Sequence, residues 1–270
     1  MMDYTASLIL PVGVEGSDLY DRVRKFILDV RRRCDESNVR LEVILVTDVG
    51  HKETLNAIIK LVRDFSVRAL LISNKLGKWA SIKNAIPYAK GKYIVILDAD
   101  LPVSTDLLIK ILLYIMSKGY DAVIPIRVSR HNGFLRRLLS IMYNGLINAL
   151  FKTDVIDHQA GFKIISKELA NDILINKSFS NSLIGDTELV IKLRKLRIKY
   201  LIIPVKWNEN RSKSTIPLPN ILISLGFELI KLILTTLLRS SLNIQRKVVG
   251  RVIELNSYSS LGHAYRWYVK

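Results

Sequence analysis

The sequence predicts an α/β fold, a mostly parallel sheet flanked by helices. Three observations carry this. Short apolar runs alternate with segments of helical spacing from Ala6 onward, which implies strands joined through crossover helices. The run Tyr93 to Leu97 has no polar alternation, the pattern of a strand buried on both faces. With 270 residues and 49% hydrophobic content, the chain can bury one large α/β domain or two small ones.

Taken in order, Ala6 to Val12 reads as a first buried strand. Gly13, Gly16 and Ser17 then turn the chain, and Ser17 or Asp18 can cap a helix from Leu19 to Cys34. Leu41 to Val46 is a second strand that ends at Thr47-Asp48. Thr54 to Asp64 is helical, and Val67 to Ile72 is a third strand. Asn74 to Trp79 is a basic loop before a helix from Ala80 to Ala89; Gly91 ends it and Tyr93 opens the fourth strand. Pro102 stops that strand, and Thr105 can cap a helix to Ser117. Asp121 to Ile126 is the fifth strand.

Arg127 to Arg137 holds four arginines and no acid, and it leads into an apolar helix from Leu138 to Phe151. Arg137, Ser140, Asn144 and Asn148 form one polar stripe on that helix. Arg136 lies one turn before Ser140, and an Arg–Ser constellation there suits a phosphate; a solvated basic helix start is the plainer reading. Val155 to Lys163 is polar and turn-like around Gly161. A helix from Lys167 to Ile175 follows, then one from Thr187 to Arg197 opened by Asp186 and Glu188, whose charges complement the helix dipole. Tyr200 to Val205 is a strand, and Trp207 to Ser214 is a polar loop carrying Arg211 and Lys213.

Asn220 to Leu238 is almost wholly Ile, Leu and Phe apart from a stripe of Ser224, Glu228, Lys231 and Thr235. A mid-helix Glu and Lys are costly in hydrocarbon, so this segment is expected to lie in a membrane interface; packing on the protein core is the alternative. The basic tail beyond it suits an anionic lipid surface. The first 16 residues have too short an apolar run, and no basic lead, for a signal peptide.

Function starts from charge and from acids at strand ends. The chain carries 41 basic and 24 acidic residues, a net charge of +17, which favours an anionic partner. One cysteine, Cys34, excludes an internal disulfide and a Cys-rich zinc site. Glu15 follows the first strand, Asp48 ends the second, and Asp98 and Asp100 end the fourth. Ligands bind at the carboxyl edge of open α/β sheets, and two carboxylates there can hold a divalent cation that in turn holds a diphosphate. An Asp-rich turn is the alternative for Asp98 and Asp100 taken alone.

In order along the chain, these segments resemble the family-2 glycosyltransferases of the GT-A fold, and within them the dolichyl-phosphate mannosyl- and glucosyltransferases. The resemblance runs from Ser7 to Ser214. It rests on SLILPVGVEG with Pro11 and Glu15, EVILVTDVG with Asp48, NKLGKWASIKNAI with Lys78, and the Asp-x-Asp strand YIVILDADL. It continues through IDHQAGFKIISKEL, the Asp-x-Glu helix at Asp186, the Pro-Val-x-Trp strand and the Arg-x-x-Ser loop at Arg211. It implies a glycosyltransferase domain over residues 1–215, with 216–270 as an apolar interfacial helix and basic tail. It implies an inverting transfer from a GDP- or UDP-sugar to a polyprenyl phosphate, on the cytoplasmic face of a membrane. Asp98 and Asp100 would hold Mg²⁺ or Mn²⁺. Pro11, Glu15, Asp48, Lys78 and Asp98 would face the nucleotide sugar. Asp100 would serve the reaction, and Arg127, Arg136, Ser140 and Arg211 the acceptor phosphate.

Three departures stand out. Gly13-Val14 replaces the usual Tyr-Asn, Thr47 replaces a second acid beside Asp48, and Pro102 takes the place of a Gln that serves the metal. A rival reading is transfer to a sugar hydroxyl, which needs a base, with Asp186 or Glu188 as the candidate. A nucleic-acid binder is argued against by the lack of an aromatic-rich basic platform or reader motif. A non-catalytic sugar-nucleotide sensor is the remaining alternative.

Overall fold

The computed structural model describes residues 4–48, 50–73, 77–128, 134–175, 179, 181, 184–207, 226–234 and 252–256; at 48, 134–136 and 252–256 it describes the backbone. Among the described residues eight strands form one sheet: β1 (Ala6–Val12), β2 (Leu41–Asp48), β3 (Arg68–Ile72), β4 (Tyr93–Leu97), β5 (Ala122–Arg127), β6 (Phe162–Ser166), β7 (Tyr200–Val205) and β8 (Val252–Asn256). Their order is β7-β5-β6-β4-β1-β2-β3-β8. The β3-β2-β1-β4 half is parallel, as the strand–helix alternation implies. On the other side β6 runs antiparallel between β4 and β5, while β5 and β7 pair in parallel. The antiparallel β8, from the 216–270 segment, pairs with β3.

Helices cover both faces: α1 (Leu19–Ser37), α2 (Lys52–Asp64), α3 (Lys78–Ala85), α4 (Thr105–Lys118), α5 (Phe134–Phe151), α6 (Lys167–Ala170) and α7 (Gly185–Lys195). Successive strand residues point to opposite faces. Accordingly Leu8 and Leu10 pack in one apolar cluster with α1, α2 and α4, and Ile9 packs in the other with α3 and α7. The two-sided burial is what the solid run at Tyr93–Leu97 requires, and all five residues are buried.

Several helix boundaries differ from the sequence expectation. α5 begins four residues early, at Phe134, because 134–139 are helix formers with no breaker after Gly133. This carries Arg136 and Arg137 into the helix. α4 is capped by Ser104, whose Oγ accepts from the Leu107 amide at 3.3 Å, and Thr105 is free to meet Asp29 and Arg33 instead. Asp18 precedes α1 without capping it; its carboxylate pairs with Arg22. The segment expected as one helix from Lys167 to Ile175 is α6 followed by a π-helical turn, Asn171–Ile175.

Residues 226–234 are helical. Leu229 and Leu232 are buried with Ile147 of α5 and Ile184 and Ile191 around α7, while Phe227, Ile230 and Leu234 are exposed. Among the described residues no helix is long and apolar enough to cross a membrane.

Candidate active site

The site begins where β4 runs out. The Asp98 amide donates to the Gly161 carbonyl at 2.8 Å, and the Leu101 amide to the Asp98 carbonyl at 2.9 Å, so the chain turns tightly through Asp98-Ala99-Asp100. Leu101 holds a left-handed backbone, φ 53°, to complete that turn. Antiparallel pairing of Leu97 with Phe162 brings Gly161 beside Asp98. A Cβ at residue 161 would lie 1.8 Å from Asp98 Oδ2, so only glycine lets the carboxylate sit there. Burial pushes the Asp100 carboxyl up to about 6, and the nearby Asp98 charge adds to the effect.

Asp98 is met by a cation from the protein itself. Lys78 Nζ, at the start of α3, lies 2.8 Å from Asp98 and 3.1 Å from Asp186. Asp186 in turn takes Lys163 Nζ at 2.7 Å and the Trp79 indole N–H at 3.1 Å. Lys163 also donates to the carbonyls of Ala160 and His158. The result is a chain of alternating charge, Asp98–Lys78–Asp186–Lys163, inside the strand ends. Burial opposes charge at Asp186, but Lys163 and Lys78 hold its carboxyl below the ordinary range. Burial likewise opposes the Lys78 ammonium, but Asp186 and Asp98 raise it above its usual value. Gly185 leaves room for Trp79, whose ring would be 2.4 Å from a Cβ there. Lys163 had no distinguishing sign in the sequence beyond its place in the resemblance, and its partner is 23 residues away.

The β1–α1 turn reaches the same place through Arg22. Its guanidinium pairs with Glu15 at 2.7 Å and with Asp18, and its Nε donates to the Ala99 carbonyl at 3.1 Å. Arg22 therefore ties the Glu15 turn to the Asp98–Asp100 turn, a role the sequence reading missed. Pro11 lies in β1 opposite Val46, and Asp48 ends β2 opposite Ile72. Glu15 is buried; its amide donates to Thr54 Oγ1 at 3.0 Å.

Arg127 ends β5 and is gripped by Asp157: its Nε and Nη2 donate to the two carboxylate oxygens at 2.7 Å each. The Trp207 ring lies 5.3 Å from the guanidinium. Asp157 belongs to the same loop as Gly161, so this loop joins Arg127 to the Asp98 turn. The loop is held by α5. Asn144 Oδ1 accepts from the His158 amide at 3.0 Å and meets the ring Nδ1 at 2.7 Å; Asn148 donates to the Val155 carbonyl at 2.8 Å. Burial lowers His158 to about 4. Ser140 Oγ accepts from Asn144 Nδ2 at 3.3 Å, and the stripe turns toward the protein from Asn144 onward. The Arg136 side chain, Arg211 and Lys213 lie outside the described side chains.

The outward face of α5 is the reverse of a surface helix. Its exposed positions from Leu138 to Leu150 are Leu138, Ile141, Met142, Gly145, Leu146, Ala149 and Leu150, with no polar side chain among them. Ile141 and Met142 are 61% and 62% exposed. Asn144 and Asn148 face in, while seven positions without a polar side chain face out.

Two aspartates are hard oxygen donors suited to Mg²⁺ or Mn²⁺. The burial of Asp100 and its repulsion by Asp98 would be relieved by a cation between them. Among the described residues no group of three or more His, Cys, Asp or Glu is placed to hold a metal, so further oxygens would come from a ligand such as a diphosphate. In that sense the pair fits a substrate-completed metal site.

Comparison with known proteins points the same way. The family model described as Glycosyl transferase family 2 matches residues 7–174. The putative glycosyltransferase CsbB of Bacillus subtilis is 29% identical over 169 residues, 62% of this chain and 50% of its own. Glycosyltransferase AglD of Haloferax volcanii is 27% identical over 231 residues, 83% of this chain and 36% of its own. The dolichyl-phosphate beta-glucosyltransferase ALG5D of Trichomonas vaginalis is 24% identical over 190 residues, 66% of this chain and 58% of its own. The matched part thus spans about half of these relatives. Among solved structures, glucosyl-3-phosphoglycerate synthase from Mycobacterium tuberculosis with UDP superposes with a TM-score of 0.65 at 16% identity, covering 86% of this chain and 79% of that one. That likeness is one of fold.

Proposed function

This chain belongs to glycosyl transferase family 2, and we propose from that premise that it moves a sugar from a nucleotide-diphosphate sugar to a polyprenyl phosphate, with inversion, at a membrane surface. The observation that carries the acceptor class is α5. It follows Arg127 of β5 in the chain and its exposed positions from Leu138 to Leu150 are all apolar, which suits a greasy acceptor whose phosphate enters beside Arg127. Relatives named as dolichyl-phosphate beta-glucosyltransferase and as undecaprenyl-phosphate 4-deoxy-4-formamido-L-arabinose transferase act on acceptors of this class.

On this reading Asp98 and Asp100 would hold Mg²⁺ or Mn²⁺, which supplies neutralisation of the departing diphosphate. Gly161 and Lys78 keep the Asp98 carboxylate at the strand end. Arg22 fixes the turn that carries Asp100. Pro11, Glu15 and Asp48 would serve the nucleoside. Arg127, oriented by Asp157, together with Arg136, Ser140 and Arg211, takes the acceptor phosphate. A phosphate acceptor is already anionic near neutral pH, so positioning matters more than deprotonation.

The hydroxyl-acceptor reading is less well supported. Asp186 is held by Lys163 and Lys78 and lies below its ordinary range, and Glu188 pairs with Lys192 at 3.0 Å. Neither is a poised base. The test is turnover of UDP-glucose and GDP-mannose with Mn²⁺ and a short polyprenyl phosphate in detergent. A glycosylated polyprenyl phosphate that disappears with EDTA is expected. Transfer solely to a free glycan, or to phosphoglycerate, would overturn the acceptor assignment.

A further inference from the structure

Lys152, Arg194, Lys195, Arg197, Ile198 and Tyr200 line a concavity of about 520 Å³. It lies where the ends of α5 and α7 meet the start of β7, whereas Asp98 and Arg127 lie at the carboxyl ends of their strands. The glycosyl-transfer site makes no use of it.

Its walls are built. Arg194 Nε donates to the Lys152 carbonyl at 2.9 Å, and its Nη2 lies 3.3 Å from Asp154. Tyr200 Oη donates to the Thr153 carbonyl at 3.1 Å. Lys152, directly after α5, and Arg197, two residues after α7, hold left-handed backbone at φ 50° and 55°. Glycine is the usual residue in that conformation at helix ends, so the chain keeps two cations there at a conformational cost. Among the described residues Asp154 is the one carboxylate paired with these four cations. Next to them in the chain are two exposed apolar residues: Leu150, two before Lys152, and Leu196, between Lys195 and Arg197 and 49% exposed.

Helix C-termini attract cations, which accounts for Arg194. It does not account for the apolar rim. A free anion would explain the cations and leave Leu150 and Leu196 in water. The phosphate of a bilayer lipid explains both, with the headgroup among the cations and the rim in the acyl boundary. The 18 residues of α5 span about 27 Å at 1.5 Å per residue, and their exposed apolar positions run on to Leu150, two residues before Lys152 of this concavity.

We propose that this concavity binds the phosphate headgroup of an anionic phospholipid in a bilayer and so pins the far end of α5 to the membrane. The orientation rests on the lipid-acceptor reading above; the binding does not, and it is measured without turnover.

The experiment is co-sedimentation of the full chain with phosphatidylcholine vesicles, with and without phosphatidylglycerol. Lys195→Gln/Arg197→Gln is compared with Arg24→Gln/Lys25→Gln, a pair on exposed positions of α1. A basic residue beside an anionic surface contributes enough that the first pair is expected to lose about tenfold to thirtyfold in affinity for the anionic vesicles. The α1 pair is expected to keep most of its affinity, and both variants should keep the wild-type melting temperature and turnover in detergent. Equal loss in both pairs would reduce the effect to net charge and overturn the proposal, as would unchanged binding in the first pair. Inorganic phosphate that raises the melting temperature of wild type but not of Lys195→Gln/Arg197→Gln, with vesicle binding equal in the two, would assign the site to a free phosphate instead. If vesicle binding behaves as expected while no glycosylated polyprenyl phosphate forms, the acceptor reading fails and this one stands.

Discussion

At the strand ends the buried Lys163 and the partly exposed Lys78 meet Asp186 inside the protein, and Lys78 also reaches Asp98; along α5 the exposed side chains from Leu138 to Leu150 are apolar. The two regions are adjacent and answer opposite demands. The first is closed on itself at Lys163–Asp186, so those two charges are part of the fold and the loss of either is expected to be felt as lost stability. The second has its partner outside, so changing it is expected to spare the fold and alter binding. Substitutions in the two regions should therefore separate by what they damage.

The largest effect is expected at Lys163. Replacing it by Met leaves Asp186 buried with Lys78 as its remaining cation. Breaking a buried pair from one side typically costs about 3–5 kcal/mol, and chemical denaturation should show a loss of that order. A loss under ~1 kcal/mol would mean that the charge chain is not part of what holds the strand ends together.

Next comes Asp98→Asn, which keeps the shape and removes the charge. Turnover is expected to fall by about 10²–10³, the usual cost of losing one electrostatic stabiliser of a leaving group. Stability should change little, because Lys78 keeps Asp186. Gly161→Ala is expected to mimic the loss of turnover, since the added methyl occupies the space of the Asp98 carboxylate. Mn²⁺ binding followed by electron paramagnetic resonance in the presence of UDP checks both without relying on activity.

His158 links the two regions, since it hangs from Asn144 of α5 in the loop that carries Asp157 and Gly161. Burial lowers it to about 4. The unfolded chain takes up a proton near pH 6.5 and the folded chain does so only near 4, so stability is lost as pH falls through that window. The linkage amounts to about 3 kcal/mol for a shift of this size. In His158→Gln the slope of stability against pH between 6.5 and 4 should flatten; an unchanged slope would place the acid sensitivity elsewhere.

The sheet and the acids at its edge were legible because solid apolar runs and strand-terminal aspartates are local signals. Tyr93–Leu97 is buried throughout, and Asp98 follows it, as read. The antiparallel insertion of β6 was not legible, because no spacing marks which way a five-residue strand enters a sheet. Nor was the Lys78–Asp186 contact, which joins residues 108 apart. The polar stripe on α5 is the sharper case. Its period was read correctly, but a period of 3.6 gives the separation of two faces and not which one meets the protein. From Asn144 on, the stripe turns inward to hold the 153–158 loop.

That ambiguity sets the smallest expected change in stability and the clearest separation of the two regions. Ile141→Gln/Leu146→Gln replaces two exposed apolar side chains on α5. If water were their native surroundings, the change would be neutral for folding and neutral for everything else. If a bilayer is, the folding stability should still move by no more than about 0.5 kcal/mol, as for surface positions generally. Affinity for vesicles should nevertheless fall severalfold, since each lost apolar side chain removes on the order of 1.5–3 kcal/mol of burial at full depth and a fraction of that at an interface. Equal vesicle binding by the variant and the wild type would mean that the outward face of α5 has no lipid partner, and that the apolar acceptor is held elsewhere.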